Sequence, residues 1–230
     1  AAPALGGLQH LEIYAYAYEA EAMSATLLSL QSLNSLSWGG AGTRGLHIAG
    51  HPGLQRLILY CVADCSTEED LNLSRLPSLK DLVIDRTGPM QLSGWSPSLS
   101  TIRLSSCPNL QLSPSCSLPQ LQYLSVYESV GRVYLGAACP AMRSVYAASG
   151  TLVLVEGSSF PDLSFFHTLG HVEGLATCHF PALEYLIIEN PSATPDGRWV
   201  GTLPVTLPAV HLVGGRKGRQ PFLTHVLQIT

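Results

Sequence analysis

A chain of 230 residues in which 46% are hydrophobic and only 12% charged can bury a substantial core, which argues against intrinsic disorder. A formal net charge of −4 and a pI near 6.0 offer no general attraction to a phosphate backbone, so nucleic acid is disfavoured as a partner. No run of about 18 apolar residues is present to span a bilayer, and the opening "AAPALGGLQH" lacks the basic and apolar regions of a signal peptide, which leaves the compartment open.

The first predicted element is a strand in which Leu8, Leu11 and Ile13 set an apolar-x-x-apolar-x-apolar spacing. The spacing returns with first positions at Leu33, Leu54, Leu79, Leu99, Leu121, Met142, Leu163, Leu183 and Leu207, in steps of 25, 21, 25, 20, 22, 21, 21, 20 and 24 residues. A period of this length belongs to a solenoid with one short supersecondary unit per coil, not to a sandwich or a Rossmann fold. In seven copies a proline stands two residues ahead of the first apolar position: Pro52, Pro77, Pro97, Pro119, Pro140, Pro161 and Pro181. A ring-locked φ and a missing N–H suit the corner where a loop enters a strand.

Between the copies lie apolar-x-apolar pairs, Leu46/Ile48, Leu71/Leu73, Met90/Leu92, Leu110/Leu112, Val133/Leu135 and Leu152/Leu154, which predict a short return strand in each coil. Coils stacked roughly 4.8 Å apart would close a continuous apolar interior that no single coil could form alone. Where the step is 25, the additional residues are expected to be locally helical: "EAEAMSATLLSL" after the first copy and "STEEDL" after the third, with Ser66 and Glu69 at capping-box spacing.

From about Leu8 to Leu212 this pattern resembles the leucine-rich repeat family, and "CPNLQ" and "PSLKDLVI" are similar to the irregular repeats of plant intracellular immune receptors and of bacterial or protist surface proteins. The resemblance implies a mostly β, α/β horseshoe-like repeat solenoid: one domain over residues 1–230, about ten repeats, with a parallel β-sheet on the concave face and short strands or turns on the convex face. In that family the residue three positions past the motif is usually Asn, Cys or Thr, bonding the turn backbone. Here Thr87, Cys107 and Ser129 suit the role, whereas Tyr16, Ala41, Val62, Gly150, His171 and Pro191 do not, which implies irregular curvature. A parallel β-helix is the alternative fold on the same spacing. Neither end reads as a polar capping unit, since "FLTHVLQIT" is apolar to the last residue; a fragment of a longer chain, or ends covered by partners, is expected. Residues 214–230 remain unassigned to the repeat.

Alternate strand residues face outward, so the third, fifth and seventh positions of each copy form the candidate binding face. They are His10, Glu12, Tyr14; Ser35, Ser37, Gly39; Arg56, Ile58, Tyr60; Asp81, Val83, Asp85; Thr101, Arg103, Ser105; Tyr123, Ser125, Tyr127; Ser144, Tyr146, Ala148; Phe165, His167, Leu169; and Tyr185, Ile187, Glu189. Six of the nine tyrosines fall there, interspersed with serine, a chemistry suited to adaptable protein recognition, although aromatics also favour sheet surfaces through cross-strand packing. Tyr60, Asp85, Arg103, Tyr123, Tyr127, Tyr146, His167 and Tyr185 are the candidate partner-binding residues, with Arg103, Tyr123, Tyr127 and Tyr146 as the centre. Arg56 and Asp81 share a column, and Asp85 and Arg103 are expected to meet diagonally, which favours a mixed polar partner over a polyanion.

Catalytic and cofactor motifs find little support. "HTLGHVEG" places His167 and His171 four apart with Glu173 nearby, a zinc spacing on a helix, but here it crosses a predicted strand and turn. "GGAGTRG" (39–45) lacks the Gly-Lys-Ser/Thr ending of a phosphate loop and reads as a connection between the strands of one coil. "GGRKGRQ" reads as a solvated basic loop. The six cysteines form no CxxC pair; Cys61 and Cys65 could bridge in an oxidising compartment, while most are expected to be buried thiols. Asn72 in "NLS" is a glycosylation sequon that matters only in such a compartment. No carboxylate pair or nucleophile–base pair emerges on one face, and the lyase expected of a catalytic β-helix would need such a cluster. The sequence thus points to a non-catalytic recognition module without metal or cofactor, binding a protein or peptide; the alternative is a structural subunit with end-to-end or larger assembly contacts.

Overall fold

The computed structural model describes residues 7–15, 29–40, 51–60, 69–86, 90–107, 110–113, 115–128, 131–136, 139–188 and 209–212. Each of the ten copies of the motif supplies one strand of a ten-stranded parallel sheet: β1 (His10–Ala15), β2 (Ser35–Gly40), β3 (Arg56–Tyr60), β5 (Asp81–Asp85), β7 (Thr101–Ser105), β9 (Tyr123–Tyr127), β11 (Ser144–Ala147), β13 (Phe165–Thr168), β15 (Tyr185–Ile188) and β16 (Ala209–Leu212). The return strands form a second parallel sheet of six, β4 (Glu69–Asn72), β6 (Met90–Ser93), β8 (Leu110–Leu112), β10 (Arg132–Leu135), β12 (Thr151–Leu154) and β14 (His171–Glu173).

Pairing runs in unbroken register, so Leu57, Leu82, Ile102, Leu124, Val145, Phe166 and Leu186 form one inward column and Trp38, Leu59, Ile84, Leu104, Val126, Ala147 and Thr168 another. All fourteen of these side chains are buried, and Leu92, Leu112, Val133, Leu152 and Val172 meet them from the second sheet. Burying each leucine contributes roughly 1.5–3 kcal/mol, which is why the alternation fixes the register: a slip by one residue would turn the whole set outward. Thr168 replaces an apolar residue at 0% exposure because its hydroxyl donates to the Gly170 carbonyl at 3.3 Å.

The proline corner is a hydrogen-bonded turn. The N–H three residues on donates to the carbonyl of the residue before the proline in Leu79→Leu76, Leu121→Leu118, Met142→Cys139, Leu163→Phe160 and Leu183→Phe180. Proline thus stands at the second turn position, which its fixed φ favours and where no N–H is needed. The residue before it points inward; Leu76, Leu118, Cys139, Phe160 and Phe180 are all buried, and Phe160 stacks on Phe180 at 5.4 Å. Beyond the turn, one carbonyl per coil receives two N–H groups from the next: Gln55 O from Lys80 and Asp81, Lys80 O from Ser100 and Thr101, Ser100 O from Gln122 and Tyr123, and onward to Ser164 O. Among the described residues a third side of the coil carries single parallel bridges, Trp95–Ser117 and Ser159–His179.

At the far end of the long strands Arg86, Ser106 and Glu128 occupy the left-handed region, with φ of 54°, 53° and 45°, at the same corner of three successive coils. Neighbouring coils hold this unfavourable conformation in place: Ser106 Oγ donates to Glu128 Oε2 at 2.8 Å, and the Ser106 N–H donates to the Glu128 carbonyl at 2.9 Å. Cys107 follows, fully buried, its thiol directed at the Ser105 carbonyl at 2.9 Å, so it does line the turn.

The architecture is therefore a mostly β parallel solenoid with a sheet on each of two sides, as in the β-helix alternative. An α/β horseshoe is not what the described residues form: regular helix is almost absent among them, and the described connections include short 3-10 turns at Leu73–Arg75 and Leu175–Thr177. "STEEDL" departs from its helical expectation, because Glu69, Asp70 and Leu71 belong to β4 and pair with Met90, Gln91 and Leu92. Three consecutive ladder pairs outweigh the few tenths of a kcal/mol per residue of local preference. Ser66 and residues 19–28, Leu46/Ile48, Cys61, Cys65, Thr87, Ser129, Glu189 and 214–230 lie outside the described residues. Among the described residues no helix is long and apolar enough to cross a membrane.

Candidate functional site

The outward face of the ten-stranded sheet carries side chains in straight columns, because every strand pair is parallel and in register. Tyr123, Ser144, Phe165 and Tyr185 succeed one another in one column, and Arg103, Ser125, Tyr146, His167 and Ile187 in the next. At a strand spacing of roughly 4.8 Å, aromatic side chains on consecutive or diagonal positions are within reach of one another.

They form a connected ladder. Tyr127 meets Tyr146 at 5.2 Å between ring centroids, and Tyr146 meets His167 edge-on at 5.1 Å. His167 then meets Phe165 at 6.2 Å, and Phe165 meets Tyr185 at 6.3 Å. Despite these contacts Tyr127 and Tyr185 keep 43% and 46% of their surface exposed, and Tyr123, with no ring partner among the described residues, keeps 45%. Four of the sequence-selected residues, Tyr127, Tyr146, His167 and Tyr185, are thus brought together, and Phe165 is the link the selection omitted. Its position in the outward series was visible; its contact with both neighbouring rings was not.

The charged residues lie toward the other half of the sheet. Asp81 sits between Arg56 at 3.3 Å and Arg103 at 3.9 Å. The column pairing of Arg56 with Asp81 is present, but the diagonal contact expected between Asp85 and Arg103 is not: Arg103 turns to Asp81, and Asp85 pairs with its sequence neighbour Arg86 at 3.6 Å. Asp81 opposes Thr101 one strand away from Arg103, so its carboxylate is the nearer anion once Arg56 has oriented it. These half-exposed pairs contribute about 0–1 kcal/mol each and leave two guanidinium groups on the surface around one carboxylate.

Tyr60 belongs to a separate cluster. Tyr14, Gly39 and Tyr60 occupy one column on β1, β2 and β3. The two rings stack at 5.9 Å with 22° between their planes, and both hydroxyls donate to Glu12 Oε1, at 2.8 Å from Tyr14 and 3.2 Å from Tyr60. The Glu12 hydrogen bond, then desolvation and the Glu12 charge, push the Tyr14 phenol up to about 12. Sequence reasoning assigned "GGAGTRG" to a loop, but its first two glycines are strand residues of β2, and Gly39 lies buried beneath the two rings.

His167 and His171 stand on different sheets, β13 and β14, rather than on a strand and a turn. The turn between them needs only Leu169 and Gly170, so His171 already pairs with Thr151 in the return sheet. Among the described residues no group of three His, Cys, Asp or Glu side chains gathers as a metal site. Cys107, Cys116, Cys139 and Cys178 are buried thiols outside any disulfide, and burial pushes Cys139 up to about 11. On the opposite face Arg132 bonds Glu173 at 2.9 Å, two strands away.

No protein-family model, no curated protein and no solved structure matches the chain. The functional reading therefore grows from the site itself.

Proposed function

We propose that the protein is a non-catalytic recognition module that binds a protein or peptide across the outward face of its ten-stranded sheet. The observation that supports this most is the half-exposed ladder Tyr127–Tyr146–His167–Phe165–Tyr185. Tyrosine brings a large contact area and a polar tip with few rotors, and strands held in register on both sides need little ordering on binding. Arg103 and Tyr123 extend the patch and Asp85 borders it, while Tyr60 stands apart with Tyr14. Kinship with leucine-rich repeats is part of the same proposal: the recurring motif and the Cys107 thiol bonding its turn support it, whereas the six-stranded return sheet among the described residues supports the β-helix relationship.

The test is positional cross-linking in an extract of the native source. A photoreactive residue in place of Ser125, in the centre of the face, is expected to capture a partner identifiable by mass spectrometry, whereas the same residue in place of Gln111, on the second sheet, is expected to capture none. Capture from Gln111 but not from Ser125 would overturn the assignment of the face.

A further inference from the structure

The Tyr14–Gly39–Tyr60 column lies in the first three strands of the sheet, apart from the aromatic ladder. Two strand spacings place the Tyr14 and Tyr60 backbones about 9.6 Å apart, at roughly 4.8 Å per strand. Their ring centroids are nevertheless only 5.9 Å apart, so the rings lean together over the glycine between them. A Cβ at Gly39 would stand 2.8 Å from each ring, so the missing side chain is what lets them close. A flat group held between two rings needs about 7–8 Å between them, a carbon contact of about 3.5–4.0 Å on each side. That separation lies between the closed one and the upright one, so side-chain rotation alone opens the slot and the strands stay where they are.

The chemistry at the slot selects its occupant. Glu12 is exposed and has no Lys or Arg within ion-pair distance among the described residues; both of its hydrogen bonds come to Oε1, which leaves Oε2 available. Two ring faces attract a cation, a carboxylate beside them repels an anion, and the slot shape calls for a planar group. Guanidinium is planar, stacks on aromatic faces and pairs with carboxylate through two parallel N–H donors; the compact, strongly hydrated ammonium of lysine does not fill a flat slot. We infer that Tyr14, Tyr60 and Glu12, over the floor left by Gly39, form a slot for the guanidinium of an arginine side chain on the protein or peptide partner. The inference rests on the recognition function proposed above and adds a chemical requirement on the partner.

The experiment follows the tyrosine ring signals of the full chain by NMR, with isotope-labelled tyrosine, during titration with N-acetyl-arginine amide and, separately, N-acetyl-lysine amide. Saturable shifts at Tyr14 and Tyr60 are expected with arginine, at an affinity at least about fivefold above lysine. Gly39→Ala, which fills the floor, is expected to abolish them. Glu12→Gln, an exposed change that keeps a hydrogen-bond acceptor and so preserves the fold, is expected to weaken them at least about fivefold. Absence of any shift at Tyr14 and Tyr60 up to roughly 50 mM arginine probe, equal binding of lysine, or unchanged affinity in Glu12→Gln would each overturn the inference. Because a small probe needs no partner, its failure leaves the ladder reading standing, and failure of the ladder reading leaves arginine selectivity at the slot unaffected.

Discussion

Replacing buried His51 with leucine is expected to stabilise the protein. His51 stands before Pro52 at the corner position filled elsewhere by Leu76, Leu118, Phe160 and Phe180, and it is only 1% exposed. Its Nε2 lies 3.0 Å from the Leu30 carbonyl, which can only accept, so Nε2 carries the proton and Nδ1 the lone pair; Nδ1 has no partner among the described residues. Removing that unpaired buried acceptor recovers about 1–3 kcal/mol, against about 0.5–1.5 kcal/mol for the lost Nε2 bond. The Leu30 carbonyl is not orphaned, since it also accepts the Leu33 N–H at 2.9 Å. Imperfect fit of the new side chain costs up to about 1 kcal/mol, leaving a central net gain of roughly 0.5 kcal/mol. For a protein of this size that raises Tm by about 1–2 °C, measurable by calorimetry alongside urea unfolding. Destabilisation of His51→Leu by more than about 1.5 kcal/mol would refute the reasoning, because it would require a bonded Nδ1.

The inward and outward phases are separable in adjacent residues: Leu82→Ala should cost about 2–5 kcal/mol in urea unfolding, and Val83→Ala less than about 1 kcal/mol. Equal costs would show the strand register to be wrong. In the folded protein Cys107 and Cys139 should alkylate far more slowly than after denaturation, since both are buried; fast native labelling of Cys107 would contradict its place in the turn. Cys139, raised to about 11 from an ordinary 9.0, binds its proton more tightly when folded. Its contribution to stability is therefore complete below pH 9 and lost as pH rises through 11, and replacing it with alanine should flatten the alkaline limb of the stability profile.

The repeat was legible because every coil spends three leucine-like residues on the same inward positions, and prolines mark one corner at a constant phase. Chains of such positions read directly as strands, and all ten copies of the motif became strands of one sheet. The return strands β6, β8, β10 and β12 were legible as apolar pairs; β4 was legible only in part, since Leu71 lies in it and Leu73 in the 3-10 turn that follows, and β14 was missed because Val172 stands alone between His171 and Glu173. "STEEDL" misled because Ser66 and Glu69 satisfy a local helix rule, while the partner that makes Glu69–Asn72 a strand lies in the next coil. Site residues were legible as outward positions, but which rings touch depends on side-chain lean across strands. That is why Phe165 was passed over, and why Tyr14 and Tyr60 gave no hint of a shared carboxylate until Gly39 was seen between them.

The most direct measurement is the dissociation constant of the cross-linked partner for the parent chain and for Tyr127→Ala/Tyr146→Ala. These two rings meet at 5.2 Å at one end of the ladder, so removing both takes away two of its five members. The account predicts a loss of at least about 2 kcal/mol, roughly thirtyfold in Kd, with a stability change within about 1 kcal/mol per substitution because both rings stand on the sheet surface. Unchanged affinity in a folded double variant would contradict recognition through the aromatic face.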